Sequence, residues 1–179
     1  MVSLTVIFWM YVILFAIIGA MRGWAKELMV TFSVVLGLFL ITVLETYVGV
    51  VRDTLFSAGG KTLFWFRSTI IILLVFFGYQ TPNIRALAGA RFARERLQDT
   101  LLGFMIGALN GYLTVGTIWW YLNAAGYPYP DIIAPPQPNT QMGEAAMRIL
   151  AWLPPDWLTI PWIYFAVGLA FLFVIIVFI

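Results

Sequence analysis

Residues 101–122, LLGFMIGALNGYLTVGTIWWYL, form an apolar segment without a single Asp, Glu, Lys or Arg. A helix rises about 1.5 Å per residue, so a segment of this length can cross the roughly 30 Å hydrocarbon core of a bilayer. A soluble domain would interrupt so long an apolar run with charges. The segment therefore predicts a membrane-spanning helix.

Four further segments have the same apolar character. Only one of them contains a charge, Arg67, and the second lies between Glu27 and Glu45. No positive charge precedes the first, so we expect it to be a retained helix and not a cleaved signal peptide. We expect an all-α, polytopic integral membrane helical bundle of about five transmembrane helices. In chain order the four segments are Val2–Ala20, Leu28–Leu44, Thr62–Gln80 and Ile160–Ile179.

The composition supports lipid as the solvent and excludes several classes of site. Of the 179 residues 63% are hydrophobic and 10% charged, with a mean hydropathy of +0.96, whereas soluble domains carry about 25% charge. The chain has no Cys and no His, which excludes disulfides, thiolate zinc sites and a Ser-His-Asp triad. A net charge of +2 is too small for a nucleic-acid surface. We expect no enzyme activity, no metal and no resident cofactor, although lipid, quinone or pigment contacts remain open at the aromatic flanks.

The distribution of positive charge predicts the orientation. Cytoplasmic loops are enriched in Lys and Arg. The first turn contains Arg22 and Lys26, and the third connection is also basic, so both should face the cytoplasm. We expect the N-terminus outside, the C-terminus inside, and a location in the bacterial cytoplasmic (inner) membrane. The basic residues of the third connection are Arg85, Arg91, Arg94 and Arg96.

The connection 123–159 is rich in proline and should lie outside. Tyr127–Pro130 and Pro135–Pro138 favour an extended, polyproline-like backbone. Gly143–Leu153 is predicted as a short amphipathic interfacial helix, with Glu144 and Arg148 paired across one turn. The chain thus divides into a four-helix membrane domain (1–122), this outer loop, and an additional C-terminal helix (160–179).

The segment 99–122 carries a stripe of small and polar residues. At 100° per residue its members fall within about 80° of one another. Close approach of small residues and hydrogen bonding by Asn110 or the threonines are typical of a helix-packing seam. A polar pathway for a solute is the alternative, but the stripe has no carboxylate in mid-membrane to relay a proton. The stripe contains Asp99, Gly103, Gly107, Asn110, Thr114 and Thr117, and the predicted seam contains Gly103, Gly107, Asn110, Gly111 and Thr114.

Arg67 lies about five residues inside the third segment. Its long side chain could snorkel to the outer interface. The other interpretation is a contact with an acid or a lipid phosphate. The residue type alone leaves both open.

Two short motifs resemble those of the colicin V production (CvpA) family. The stretch 18–27, IGAMRGWAKE, is similar to the family signature that joins its first two helices, and 99–103, DTLLG, followed by Gly107 and Gly111, is similar to the motif on its last helix. The resemblance covers about residues 1–122. The family usually has arginine before the last of these glycines, where this chain has Asn110.

The resemblance implies an inner-membrane protein with a four-helix core, linked to colicin production or export and to envelope maintenance. No enzymatic reaction or cofactor is settled for the family. The motif residues Arg22, Gly23, Lys26 and Glu27 mark the cytoplasmic turn. From their chemistry, Arg22 and Lys26 can contact anionic headgroups, and Glu27 suits the positive end of the second helix. Docking of a cytoplasmic partner on this turn is the functional alternative.

The sequence leaves several functions open. The first is a non-catalytic CvpA-like membrane protein in envelope maintenance or export. The second is an accessory subunit of a large respiratory or photosynthetic membrane complex, packing through its helices and outer loop. A small transporter or channel is a third, weakened by the scarcity of intramembrane charge. The expected partners are membrane lipids and other membrane subunits or a second copy, and not nucleic acid.

Overall fold

The computed structural model describes residues 3–80 and 93–178, and the regular structure within these ranges is helical. The all-α bundle expected from the sequence is confirmed. Four helices (α1, α2, α4 and the Arg96–Ala124 part of α5) are long and apolar enough to cross a membrane. The expected fifth span forms α8, a shorter apolar helix of 17 residues. The helices are α1 (Leu4–Arg22), α2 (Trp24–Tyr47), α3 (Gly49–Ser57), α4 (Gly60–Tyr79), α5 (Ala93–Ala124), α6 (Gln141–Leu150), α7 (Pro154–Trp157) and α8 (Trp162–Phe178).

Helices α1 and α5 run antiparallel and pack along most of their length. Glycines remove the side chains that would hold the two backbones apart. A Cβ on Gly19 would overlap the carbonyl oxygen of Gly103, and one on Gly107 would overlap that of Phe15. Inside a bilayer such close packing replaces the hydrophobic effect as the force that associates helices.

Helix α2 is the central helix of the bundle, packing against α4, α5 and α8. The side chains of Val30, Val34, Leu38 and Ile41 are all buried there. Helix α2 also extends beyond its predicted limits of 28 and 44. Glu27 and Glu45, which were expected to bound the helix, therefore both lie within it.

One end of the bundle is covered by a cap made of α3, α6, α7 and the turns between α5 and α6; we call this the cap end and the opposite end, at Gly23, the turn end. Indole N–H groups attach the cap: Trp120 donates to Asp156 at 2.9 Å and Trp119 to the hydroxyl of Tyr127 at 3.3 Å. Burial raises the pKa of the Tyr127 hydroxyl. The indole of Trp119 is buried beneath the cap.

The proline-rich connection differs from its predicted form in three respects. The backbone at Tyr127 is left-handed, with a φ of 53°, and so is not an extended polyproline segment. Helix α6 ends at Leu150 and Pro154 begins α7, since proline fits the first turn of a helix. The predicted pair of Glu144 with Arg148 is absent from the ion pairs of the described ranges.

Two of the sequence predictions involve residues at the edges of the described ranges. The predicted fourth span, 101–122, is longer in the structure, because α5 begins at Ala93. In the basic connection that predicts the orientation, Arg85 and Arg91 lie outside the described residues. The predicted orientation therefore stays a prediction.

We predict that Gly107→Ala destabilises the bundle by about 1–3 kcal/mol, because the new methyl group must push α1 away from α5. Thermal unfolding in mild detergent, followed by tryptophan fluorescence, measures the effect. Gly168→Ala is the matched control, since a Cβ there meets nothing within 4 Å. Equal unfolding temperatures for the two variants would contradict glycine-dependent packing.

Candidate functional site

A buried carboxylate, Glu27, is the centre of a polar cluster near the turn end. Its side chain is fully buried, and its Oε1 lies 2.7 Å from Nη1 of Arg22. Its Oε2 accepts a hydrogen bond of 2.8 Å from Nδ2 of Asn110 on α5. An unpaired charge in this position would be very costly, so the partners are required for folding.

The tight turn between α1 and α2 brings Arg22 to this carboxylate. Gly23 has a φ of 86°, a conformation that side chains disfavour, and a Cβ added there would lie only 2.7 Å from Oδ2 of Asp99. The guanidinium of Arg22 also donates to the backbone oxygen of Tyr79 at 3.0 Å. The centre of the guanidinium lies 4.3 Å from the centroid of the Tyr79 ring. Arg22 therefore connects α1, α2 and α4.

Asn110 joins the same cluster from α5. Its Nδ2 donates also to the backbone oxygen of Glu27 at 2.9 Å, and its Oδ1 accepts from the hydroxyl of Thr31 at 2.7 Å. The amide thus uses both its donors and an acceptor while fully buried. The cluster fixes α5 against α2 by directional bonds as well as by packing.

These contacts correct the interpretation of the motif turn. Arg22 was expected to meet lipid headgroups, but it is directed inward to Glu27. Glu27 lies in the first turn of α2, as expected, but its carboxylate is buried, and Asp99 accepts from the backbone N–H of Trp24 at 3.2 Å. Lys26 is partly buried. Apolar patterning alone gave no signal for the contributions of Thr31 and Tyr79.

The predicted seam on α5 divides between two neighbouring helices. Gly103, Gly107 and Gly111 face α1, where an added Cβ would strike backbone atoms. Asn110 instead faces α2. Thr114 is buried, and its hydroxyl has no hydrogen-bond partner among the described residues.

A second ion pair lies nearer the cap end. Arg67 on α4 makes a bidentate contact with Glu45 on α2, with Nε–Oε1 at 2.7 Å and Nη2–Oε2 at 2.8 Å. Its guanidinium also lies 5.3 Å from the centroid of the Tyr121 ring on α5. The structure shows the second of the two interpretations of Arg67, because its guanidinium contacts an acid, Glu45.

Two further features bear on ligands. A largely apolar cleft of about 380 Å³ lies between α2, α4 and α8 and includes Phe32, Leu74 and Phe171 in its wall. Its chemistry suits a lipid chain or another apolar tail. In the part of the chain that the structure describes, no three acidic side chains come together as a metal site would require.

We predict that Glu27→Gln destabilises the protein by about 3–5 kcal/mol, because Arg22 is left buried without a countercharge. The double variant Arg22→Gln with Glu27→Gln should lose less than the single variant. Unfolding temperatures of both variants, measured by tryptophan fluorescence, give the comparison.

The control is Asp53→Asn, which breaks the exposed pair with Arg52. Exposed pairs contribute less than about 1 kcal/mol. A similar loss for Asp53→Asn and Glu27→Gln would show that burial of the Glu27 pair is not what matters.

Comparison with known proteins gives no counterpart for this arrangement. No family model, no curated protein and no solved structure matches the chain. The resemblance to the CvpA family therefore rests on the motif residues themselves and stays a prediction.

Proposed function

We propose that this chain is a non-catalytic, multi-pass integral membrane protein of the CvpA kind, with a role in envelope maintenance or export. One observation supports the proposal: the two stretches that carry the resemblance pack on each other. Gly19 and Gly23 of the first stretch contact Gly103 of the second, and Glu27 binds Asn110. Residues 80 or more positions apart thus act as one structural unit.

The proposed location is the bacterial inner membrane, with the turn end towards the cytoplasm and the cap end outside. The charge pattern of the first turn supports this orientation. The exposed indoles of Trp65 and Trp162 support a membrane–water interface near the cap end, on whichever side of the bilayer that end lies, because tryptophan is enriched at both interfaces. Lipids are the proposed contacts of the apolar outer faces.

A second candidate, an accessory subunit of a larger membrane complex, is favoured by α8. This helix packs on α2 along one face. The other face is apolar and exposed, and Trp152 in the cap is 76% exposed. A partner subunit could cover both. The exposed residues of α8 include Phe165, Leu169, Leu172 and Ile176.

Complementation tests the first candidate. Deletion of the gene should sensitise cells to detergents or bile salts, and the wild-type chain should restore resistance. Gly107→Leu, which separates the two motif stretches, should fail to restore it, whereas Gly168→Leu on open surface should succeed. Unchanged permeability in the deletion strain would overturn the proposal.

Purification from native membranes in mild detergent tests the second candidate. Co-migration at fixed stoichiometry with a pigmented or redox-active complex, read by native gel, mass spectrometry and absorption spectrum, would support an accessory subunit. A colourless protein that migrates alone or as a small homo-oligomer would contradict it.

A further inference from the structure

Buried polar side chains on α5 connect the two ion pairs of the bundle. Asn110, Thr114, Thr117 and Tyr121 follow one another at intervals of four, three and four residues, so they lie on one face of the helix. Each of them is at most 5% exposed. We call these four residues the α5 polar row. At about 1.5 Å per residue the row is roughly 16 Å long.

Each end of the polar row meets one member of an ion pair, a carboxylate at the Asn110 end and a guanidinium at the Tyr121 end. Asn110 binds Glu27, which is paired with Arg22, while Tyr121 contacts Arg67, which is paired with Glu45. The sequence showed no carboxylate for proton relay within the membrane. The fold supplies one from α2, because Glu27 lies beside Asn110, midway along α5.

The middle of the row holds hydroxyl groups that lack partners. The hydroxyls of Thr114 and Thr117 are buried and make no hydrogen bond to any described residue, and the same holds for Ser68, next to Arg67 on α4. Thr42 on α2, by contrast, bonds the carbonyl four residues earlier, whereas Thr5 on α1 is a further buried hydroxyl without a partner among the described residues. Leaving a buried hydroxyl unpaired costs free energy, so such a group needs an explanation.

We propose that the α5 polar row is a pathway for protons between the cap end and the turn end, with Glu27 as its proton-accepting group. Water entering the row would bond to the free hydroxyls and complete a hydrogen-bonded chain. The row is closed in this structure, because these oxygens are shielded from solvent. Conduction requires slight separation of α5 from its neighbours.

In this pathway one proton is transferred to the carboxylate of Glu27 and one is released from it. Its Oε2 forms an O–H bond with a proton delivered along the row, and the water that delivers it loses that proton. Release breaks the same O–H bond and passes the proton to water beside Arg22. The Arg22 side chain is 19% exposed, so the released proton has a short route to solvent at the turn end. The tight burial of the row excludes hydrated metal ions.

Proton flux into vesicles tests the pathway. The purified full-length chain is reconstituted with a pH-sensitive dye inside, and a potassium gradient with valinomycin drives protons in either direction. Thr117→Val keeps the shape but removes the hydroxyl, whereas Thr117→Ser keeps the hydroxyl and frees the space of a methyl group for water. We expect Thr117→Ser to conduct protons faster than the wild type. We expect the double variant Thr114→Val plus Thr117→Val to conduct about tenfold more slowly than the wild type, because two relay hydrogen bonds are lost.

Thr69→Val is the matched control, since Thr69 is exposed on α4 directly beside Ser68. It should conduct like the wild type. Unfolding temperatures identify any variant that is merely unstable; removing the unpaired hydroxyl of Thr117 should not lower this temperature. Flux at the level of protein-free vesicles for both the wild type and Thr117→Ser, or equal flux for Thr117→Ser and the Thr114→Val plus Thr117→Val variant, would overturn the proposal. Neither result would bear on the envelope phenotype.

Discussion

The bundle depends on two carboxylates that α2 carries inside an apolar environment. Glu27 and Glu45 are 18 residues apart, or about 27 Å along the helix, close to the thickness of a bilayer core. Neither can be charged there without a cation beside it. Arg22 comes to the first from α1, and Arg67 comes to the second from α4. These two pairs fix α1 and α4 in register with α2, and the hydrogen bonds of Asn110 fix α5.

Close packing and polar pairing act on different neighbours. Helix α1 is held to α5 through glycines that let the backbones touch, while α2 is held to α5 through the bonds of Asn110. A helix with a single stripe can serve both, because residues 107 and 110 lie on adjacent parts of its surface. The small and polar residues of α5 therefore recur at the predicted helical spacing, but they pack against two different helices, α1 and α2.

The lengths of the apolar runs predicted the membrane spans. The positions of the charged residues in the sequence did not predict which of them form ion pairs. The segments of α1, α2, α4 and α5 follow from hydropathy, because lipid requires long uninterrupted apolar runs. The sequence predicts Glu27 and Glu45 as the boundaries of the second span, since charge usually marks the end of a span. The structure keeps them inside because partners come from 5 and 22 residues away in sequence. Asn110 reaches Glu27 from 83 positions away, and no local pattern encodes such a contact.

The two pairs of α2 also differ in when they can form during synthesis. Arg22 precedes Glu27 on the nascent chain, so this charge is neutralised as soon as the turn at Gly23 closes. Glu45 must wait until Arg67 has emerged, 22 residues later. Until then α2 carries an uncompensated acid at one end, which disfavours its release into lipid. Pairing of Glu45 with Arg67 therefore favours release of α2 and α4 into the bilayer together, as a hairpin joined by α3.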